Sequence, residues 1–275
     1  VLEAGPTVGE WRESWQAAFS NEKLFSHILV AIDGQDTGWH ALQEATRVAK
    51  REKGTILGLH VVDTVKAVNS EMAQAIAAEF KRRCQEVGVL GEIAITTGPV
   101  TGTICYRARW ADLVVVSLSH PPGPGPVDRL NSQFAQLLRR SPRPILAVPR
   151  VDAGLQRLLL AYDGSPKANE ALFVARYMVE KWEASFMVVT VKEAKGGGKK
   201  TSMRARRYLE EHDIQADYLV KKGDPSTIIV QTARDIDCDL IIMGGYGSNP
   251  VSEIVSGSVV DDILRSRNRP VLICR

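Results

Sequence analysis

The chain has 275 residues, 44% of them hydrophobic and 24% charged, which is enough for two domains with a core each. Its formal net charge of +3, from 35 basic and 32 acidic residues, gives no electrostatic ground for a nucleic-acid or anionic-membrane partner. Cys84, Cys105, Cys238 and Cys274 stand far apart with no CxxC pair, which argues against a disulfide framework or a thiolate zinc site and fits small buried side chains in a reducing cytoplasm.

At the N-terminus, Trp11, Trp15 and Phe19 recur at i, i+4 and i+8, so residues 7–21 are expected to form an amphipathic helix that packs on a domain surface or a partner subunit. Residues 1–24 are an extension ahead of the first strand. That strand is the apolar run from His27 to Ile32, closed by Asp33-Gly34. After Asp36-Thr37, an acceptable helix start, Trp39, Leu42, Ala45 and Val48 trace one helical face. A second strand runs from Ile56 to Val62, a turn follows at Thr97-Gly98-Pro99, and further strands begin at Asp112-Leu113 and Arg143-Pro144.

The same landmarks then return in the same order. Arg157 to Tyr162 ends in Asp163-Gly164, and Ser165-Pro166 opens a helix with Ala168, Leu172, Ala175 and Val179 on one face. Phe186 to Lys192 answers the second strand, Lys222-Gly223-Asp224 the turn, Asp239-Leu240 the fourth strand and Arg269-Pro270 the last. Five matches in register make a duplicated domain, with units at 25–150 and 151–275. Short β-branched runs alternating with helical periods predict an α/β fold of two tandem Rossmann-like domains, each a five-stranded parallel sheet with helices on both faces. The final strands of the two halves could pair edge to edge, so that one chain mimics a dimer. Lys195 to Lys200, rich in glycine and lysine, is expected to be a solvated basic loop.

No apolar run reaches the roughly 20 residues of a membrane helix, and the N-terminus lacks a signal-peptide pattern, so a cytoplasmic location is expected. The segment most suggestive of chemistry follows the strand from Leu240 to Met243. Gly244, Gly247 and Gly257 let the backbone approach a ligand, and Gly257-Ser258 opens a helix whose apolar face is Val259, Val260, Ile263 and Leu264. Free N–H groups and the Ser258 hydroxyl at such a start suit a polyphosphate. The loop matches neither GxxxxGK[ST] nor GxGxxG.

The spacing Gly244-x2-Gly247-x9-Gly257-Ser258 resembles the ATP-binding motif of the universal stress protein family, and the flanking landmarks resemble that family over most of the chain. The resemblance implies an ATP-binding stress-response or regulatory protein with no catalytic residue. It places Ala161, Tyr162 and Asp163 at the adenosine, the backbone of Val191 at the adenine edge, Met243 and Gly244 along the ribose, and Gly247, Gly257, Ser258 and Val259 around the phosphates. Asp163 has a second reading, as a cap for the turn at Gly164. Asp261 and Asp262 either favour a helix N-terminus or hold Mg²⁺ through water.

In the first half the corresponding loop reads Pro121-Pro122-Gly123-Pro124-Gly125-Pro126, and Asn131-Ser132 stand opposite Gly257-Ser258. Prolines remove the N–H donors a phosphate requires, so this half is expected not to bind ATP in the same manner, although Asp33 and Val61 persist. His120 reads either as a surface residue or as a cationic contact. Alternatives to nucleotide-dependent regulation are a non-catalytic protein-interaction module, with a protein partner or a second copy of the chain, and a weak ATP-hydrolysing enzyme.

Overall fold

Every aliphatic run named above becomes a strand, and the helical periods fall between them. The computed structural model describes residues 23–150, 154–192, 198–246 and 258–275. The first half runs β1 (His27–Ala31), α1 (Asp36–Glu52), β2 (Thr55–Val62), α2 (Glu71–Glu86), β3 (Gly91–Thr97), α3 (Val100–Arg107), β4 (Leu113–Ser117), α4 (Pro126–Asn131), α5 (Gln133–Arg140) and β5 (Ile145–Val148). The second runs β6 (Arg157–Ala161), α6 (Pro166–Trp182), β7 (Ser185–Lys192), α7 (Gly198–Glu210), β8 (Asp217–Lys222), α8 (Pro225–Asp235), β9 (Leu240–Gly244), α9 (Val259–Ser266) and β10 (Val271–Cys274). The helix expected over 7–21 lies outside the described residues.

The strands form one ten-stranded sheet in the order β3-β2-β1-β4-β5-β10-β9-β6-β7-β8. Within each half all pairings are parallel. The halves meet where β5 and β10 pair antiparallel, with Leu272 opposite Leu146 and the neighbours Val271–Ala147 and Ile273–Ile145 arranged symmetrically about it. The edge pairing expected from the repeat is therefore present, and a pseudo-twofold axis passes through the two leucines.

Alternation along the strands divides the core into two layers. Ile28, Val30, Leu158 and Leu160 face α1, α2, α6 and α7, whereas Leu29 packs towards α3 and α5, and Leu159 towards α8 and α9. The repeated polar landmarks have structural work of their own. Asp112 accepts a hydrogen bond from His27 N at 2.9 Å, and Asp239 accepts from Gln156 N and Arg157 N at 2.9 and 3.0 Å, so each ties the fourth strand of its half to the start of the first. The carbonyls of Pro144 and Pro270 accept from Val114 N and Ile241 N at 3.0 Å, which sets the last strand beside the fourth.

Two local expectations change. Gln35, not Asp36, occupies the cap of α1, and Asp36 lies in its first turn. Gly198, Lys199 and Lys200 form the first turn of α7 rather than a loop; Gly198 is buried, because α7 packs against β7 there. Residues 193–197 lie outside the description.

Candidate functional site

In each half the chain runs outward from β1 to β3, or from β6 to β8, then returns to the other side of the first strand. The reversal opens a crevice at the C-terminal ends of β1 and β4, and of β6 and β9, the place where such sheets accept ligands. In the second half the crevice is a cavity of about 560 Å³. Ala161, Tyr162, Asp163, Val191, Met243, Gly244, Ser258 and Val259 all line it. Gly247 and Gly257 lie outside the described residues.

These residues enter the cavity for separable physical reasons. Gly164, at φ +78°, turns the chain back after β6 in a conformation open to glycine, and Asp163 Oδ1 accepts from Ser165 N at 2.8 Å to hold that turn. Asp163 thus does cap the turn. It does so with one oxygen, and no partner within the described residues engages the other. Tyr162 turns its ring into the core and donates its hydroxyl to Asn169 Oδ1 at 2.7 Å, so it meets the cavity through its main chain.

Val191 offers a backbone edge. Tyr162 N donates to Val189 O at 2.9 Å as the final rung between the diverging strands. Two residues further along β7, the N–H and C=O of Val191 point the same way, and among the described residues no rung closes them. A planar heterocycle with one donor and one acceptor on its edge fits such a pair.

Three helix starts converge on the same space: Pro166, Lys167 and Ala168 of α6, Pro225 of α8, and Val259 and Val260 of α9. Ser258 caps α9 by accepting from Val260 N at 3.1 Å, Ser165 caps α6 through Ala168 N at 3.2 Å, and Asp224 caps α8 through Thr227 N at 2.8 Å. Partial positive charge from three helix N-termini, with the Lys167 ammonium, makes this end of the cavity a place for an anion. Sequence reading missed Lys167, Ser165, Pro225 and Ile229; the first two were findable as the turn after the repeated Asp-Gly. Gly244 also has a packing reason to be glycine, since a Cβ there would lie 2.8 Å from Ala168 N.

The acidic pair at the start of α9 points elsewhere. Asp261 is 1% exposed, accepts from the Tyr246 hydroxyl, and faces Arg129 of α4 at 3.8 Å. Burial pushes its carboxyl above the usual range, with Tyr246 and the guanidinium groups of Arg129, Arg265 and Arg139 opposing. Asp262 is paired with Arg265.

The first half has a larger cavity, about 920 Å³, at the equivalent place. Asp33, Val61, Ser132 and His120 line it, and Asp33 Oδ1 holds its turn through Gln35 N at 2.9 Å as Asp163 does. Ser132 caps α5 through Ala135 N at 3.1 Å, the counterpart of Ser258 on α9. What differs is the approach to that cap. α4 occupies it, and three donors along it are already engaged: Gly125 N by Asp128 Oδ2 at 3.2 Å, Arg129 N by Gly125 O at 3.0 Å, Ser132 N by Arg129 O at 3.4 Å. Asp128 adds a carboxylate to the lining. Arg265 of α9 reaches across and donates to the carbonyls of Pro122 and Gly123 at 3.3 and 3.1 Å, which fixes the proline loop to the second half.

A sequence model described as the universal stress protein family matches residues 24–149 and 193–275. The chain belongs to the universal stress protein family. The stretch between the two matched segments holds β6, α6 and β7, which repeat β1, α1 and β2 in order and pairing, so the family architecture is present twice. Universal stress protein Slr1230 of Synechocystis is 22% identical over 90% of this chain and 99% of its own length. Universal stress protein MJ0577 of Methanocaldococcus jannaschii is 33% identical over 26% of this chain and 43% of its own. The crystal structure of a universal stress protein from Archaeoglobus fulgidus superposes with a TM-score of 0.73 at 18% identity, covering 92% of this chain and 97% of that one, and so shares the tandem fold. Among the described residues no helix is long and apolar enough to cross a membrane.

Proposed function

We propose that this universal stress protein holds one ATP in the domain spanning 151–275, and that its occupancy is a regulatory signal in a stress response. The observation that carries the reading is the convergence of the eight described candidate residues on one cavity. There a free backbone edge at Val191, the second oxygen of Asp163 and three helix N-termini succeed one another as base, sugar and phosphate would. Val191 meets the heterocycle, Asp163 accepts from the sugar hydroxyls, Met243 and Gly244 flank the sugar, and Ser258 and Val259, with Gly247 and Gly257, take the phosphates.

The domain spanning 25–150 is proposed not to hold ATP in this way, because α4 fills the approach to the Ser132 cap, engages Gly125 N and Ser132 N, and adds the Asp128 carboxylate to the lining. Mg²⁺ would enter with the nucleotide's own phosphates. Asp261 and Asp262 do not fit as its ligands, since Tyr246 with Arg129 and Arg265 already engage them. The same engagement supports binding over catalysis, because neither carboxylate is placed to activate water at the cavity.

Mass spectrometry of nucleotide released on denaturation, with and without added ATP, tests this. One adenine nucleotide per chain, lost in Gly257→Val, is expected. Two per chain would overturn the assignment of the first domain, and none even with saturating ATP would overturn the nucleotide reading altogether.

A further inference from the structure

Beside the second cavity, at the seam between the halves, lies a smaller one of about 220 Å³ lined by Arg139, Arg143, Lys167 and Arg275 against Gly245 and the strand ends of β5 and β10. Its lining includes no acidic side chain, and none of the four cationic side chains forms an ion pair among the described residues. They are held instead by neutral groups. Arg143 donates to Arg109 O at 3.3 Å, Arg275 donates to Ser141 O at 3.0 Å, Lys167 donates to Tyr246 O, and the Arg139 guanidinium stacks 4.5 Å from the Tyr246 ring centroid. The acid that acts on Arg139 is Asp261, itself already engaged by the Tyr246 hydroxyl.

The arrangement therefore fixes four positive charges with only Asp261, acting on Arg139, to oppose them, and it leaves donors unused. Arg139 Nε and Nη2 and Arg143 Nε are buried with no acceptor among the described residues. Buried donors without acceptors and clustered like charges are each unfavourable, and a tetrahedral oxyanion relieves both at once. The pseudo-symmetric position in the first half is not built this way. There Thr37 stands for Lys167 and Val148-Pro149 for Cys274-Arg275, and the guanidinium groups in the lining are reduced to those of Arg150 and Arg267.

We propose that Arg139, Arg143, Lys167 and Arg275 form a second anion site, assembled from both halves, that takes a phosphate-type oxyanion. Lys167 and Gly245 also line the larger cavity, so the two spaces adjoin. The oxyanion is either the outer phosphate of a ligand lying in that cavity or a free phosphate.

Calorimetric titration of the full chain, freed of nucleotide, with inorganic phosphate and with pyrophosphate at low ionic strength tests the site. Beside any phosphate held at the helix starts of the larger cavity, one further saturable site per chain is expected, weakened by about tenfold or more in R143Q/R275Q and retained in R143K/R275K. Absence of saturable binding, or an unchanged affinity in R143Q/R275Q, overturns the proposal. R275Q alone alters one exposed side chain beyond the last strand, and a severalfold loss in that variant decides the matter if the double variant fails to fold. Titration with ATP and AMP then separates the sources: a loss in R143Q/R275Q confined to ATP assigns the site to the ligand's own phosphates, and equal affinities for both assign it to a separate anion. The phosphate titration contains no nucleotide, so its result stands even if the ATP reading fails.

Discussion

Asp261 shows how one carboxylate can resemble a ligand in the sequence and be something else in the fold. Its position in the first turn of α9 suits a metal or a helix dipole, but its side chain is enclosed by Tyr246 of its own half and Arg129 of the other. Burial raises its pKa above the ordinary 3.8, so the folded chain holds this proton more tightly than the unfolded chain does. The sign follows from proton linkage. Stability from this group is greatest below the ordinary value and falls as pH rises through the raised one. Asp261→Asn should flatten the dependence of the urea midpoint on pH in the window above 3.8. A wild-type midpoint that climbs with pH across that window, with the same slope in Asp261→Asn, would remove Asp261 as the cause.

At the level of elements, the contacts between α1 and α6 join the halves on one face of the sheet. Glu52, 2% exposed at the end of α1, accepts from Tyr177 Oη at 2.8 Å, from Trp182 Nε1 at 2.7 Å and from Phe25 N at 3.5 Å. Glu52→Ala would strand these buried donors and should cost about 2–4 kcal/mol by urea denaturation, whereas Glu52→Gln keeps an acceptor and should cost distinctly less. Equal losses would mean that charge, not hydrogen bonding, is what the site requires. Four strands of each half and the start of α9 were legible in the sequence, because repeated Asp-Gly, Arg-Pro and aliphatic runs encode local geometry, whereas the strand order in the sheet came only with the fold. Glu52 was not, since its side-chain partners Tyr177 and Trp182 lie on a helix of the other half and obey no spacing rule. Nor was the size of the first cavity legible: the prolines announced a lost phosphate grip, but the walls at Asp33, Val61 and Ser132 kept the crevice open. Lys199 and Lys200 misled because glycine and lysine content favours a loop, and packing of α7 on β7 overrode it.

For the whole molecule the decisive feature is that two domains share one sheet. Domain contacts within a chain are commonly small and polar, and allow the parts to unfold separately. Here the contact is a backbone ladder, and both of its faces are buried: Leu146 and Leu272 enter the same apolar cluster as α1 and α6, while Ala147, Val271 and Ile273 join the cluster under α9. Glu52 on one face and Arg129 with Asp261 on the other fasten the same seam. Separate unfolding would expose all of it at once, so the wild-type chain should unfold in one transition. Leu272→Ala removes a side chain 2% exposed at the pseudo-twofold axis and should cost about 3 kcal/mol. Its loss falls on the seam rather than on either outer sheet, so it should also separate the transitions. Hydrogen exchange followed by mass spectrometry in graded urea would show this, with β1–β3 and β6–β8 opening together in the wild type and at different urea concentrations in the variant. Two transitions already present in the wild type would mean that the shared sheet joins the domains without coupling them, and a nucleotide bound in one half would then have no route through the seam to the other.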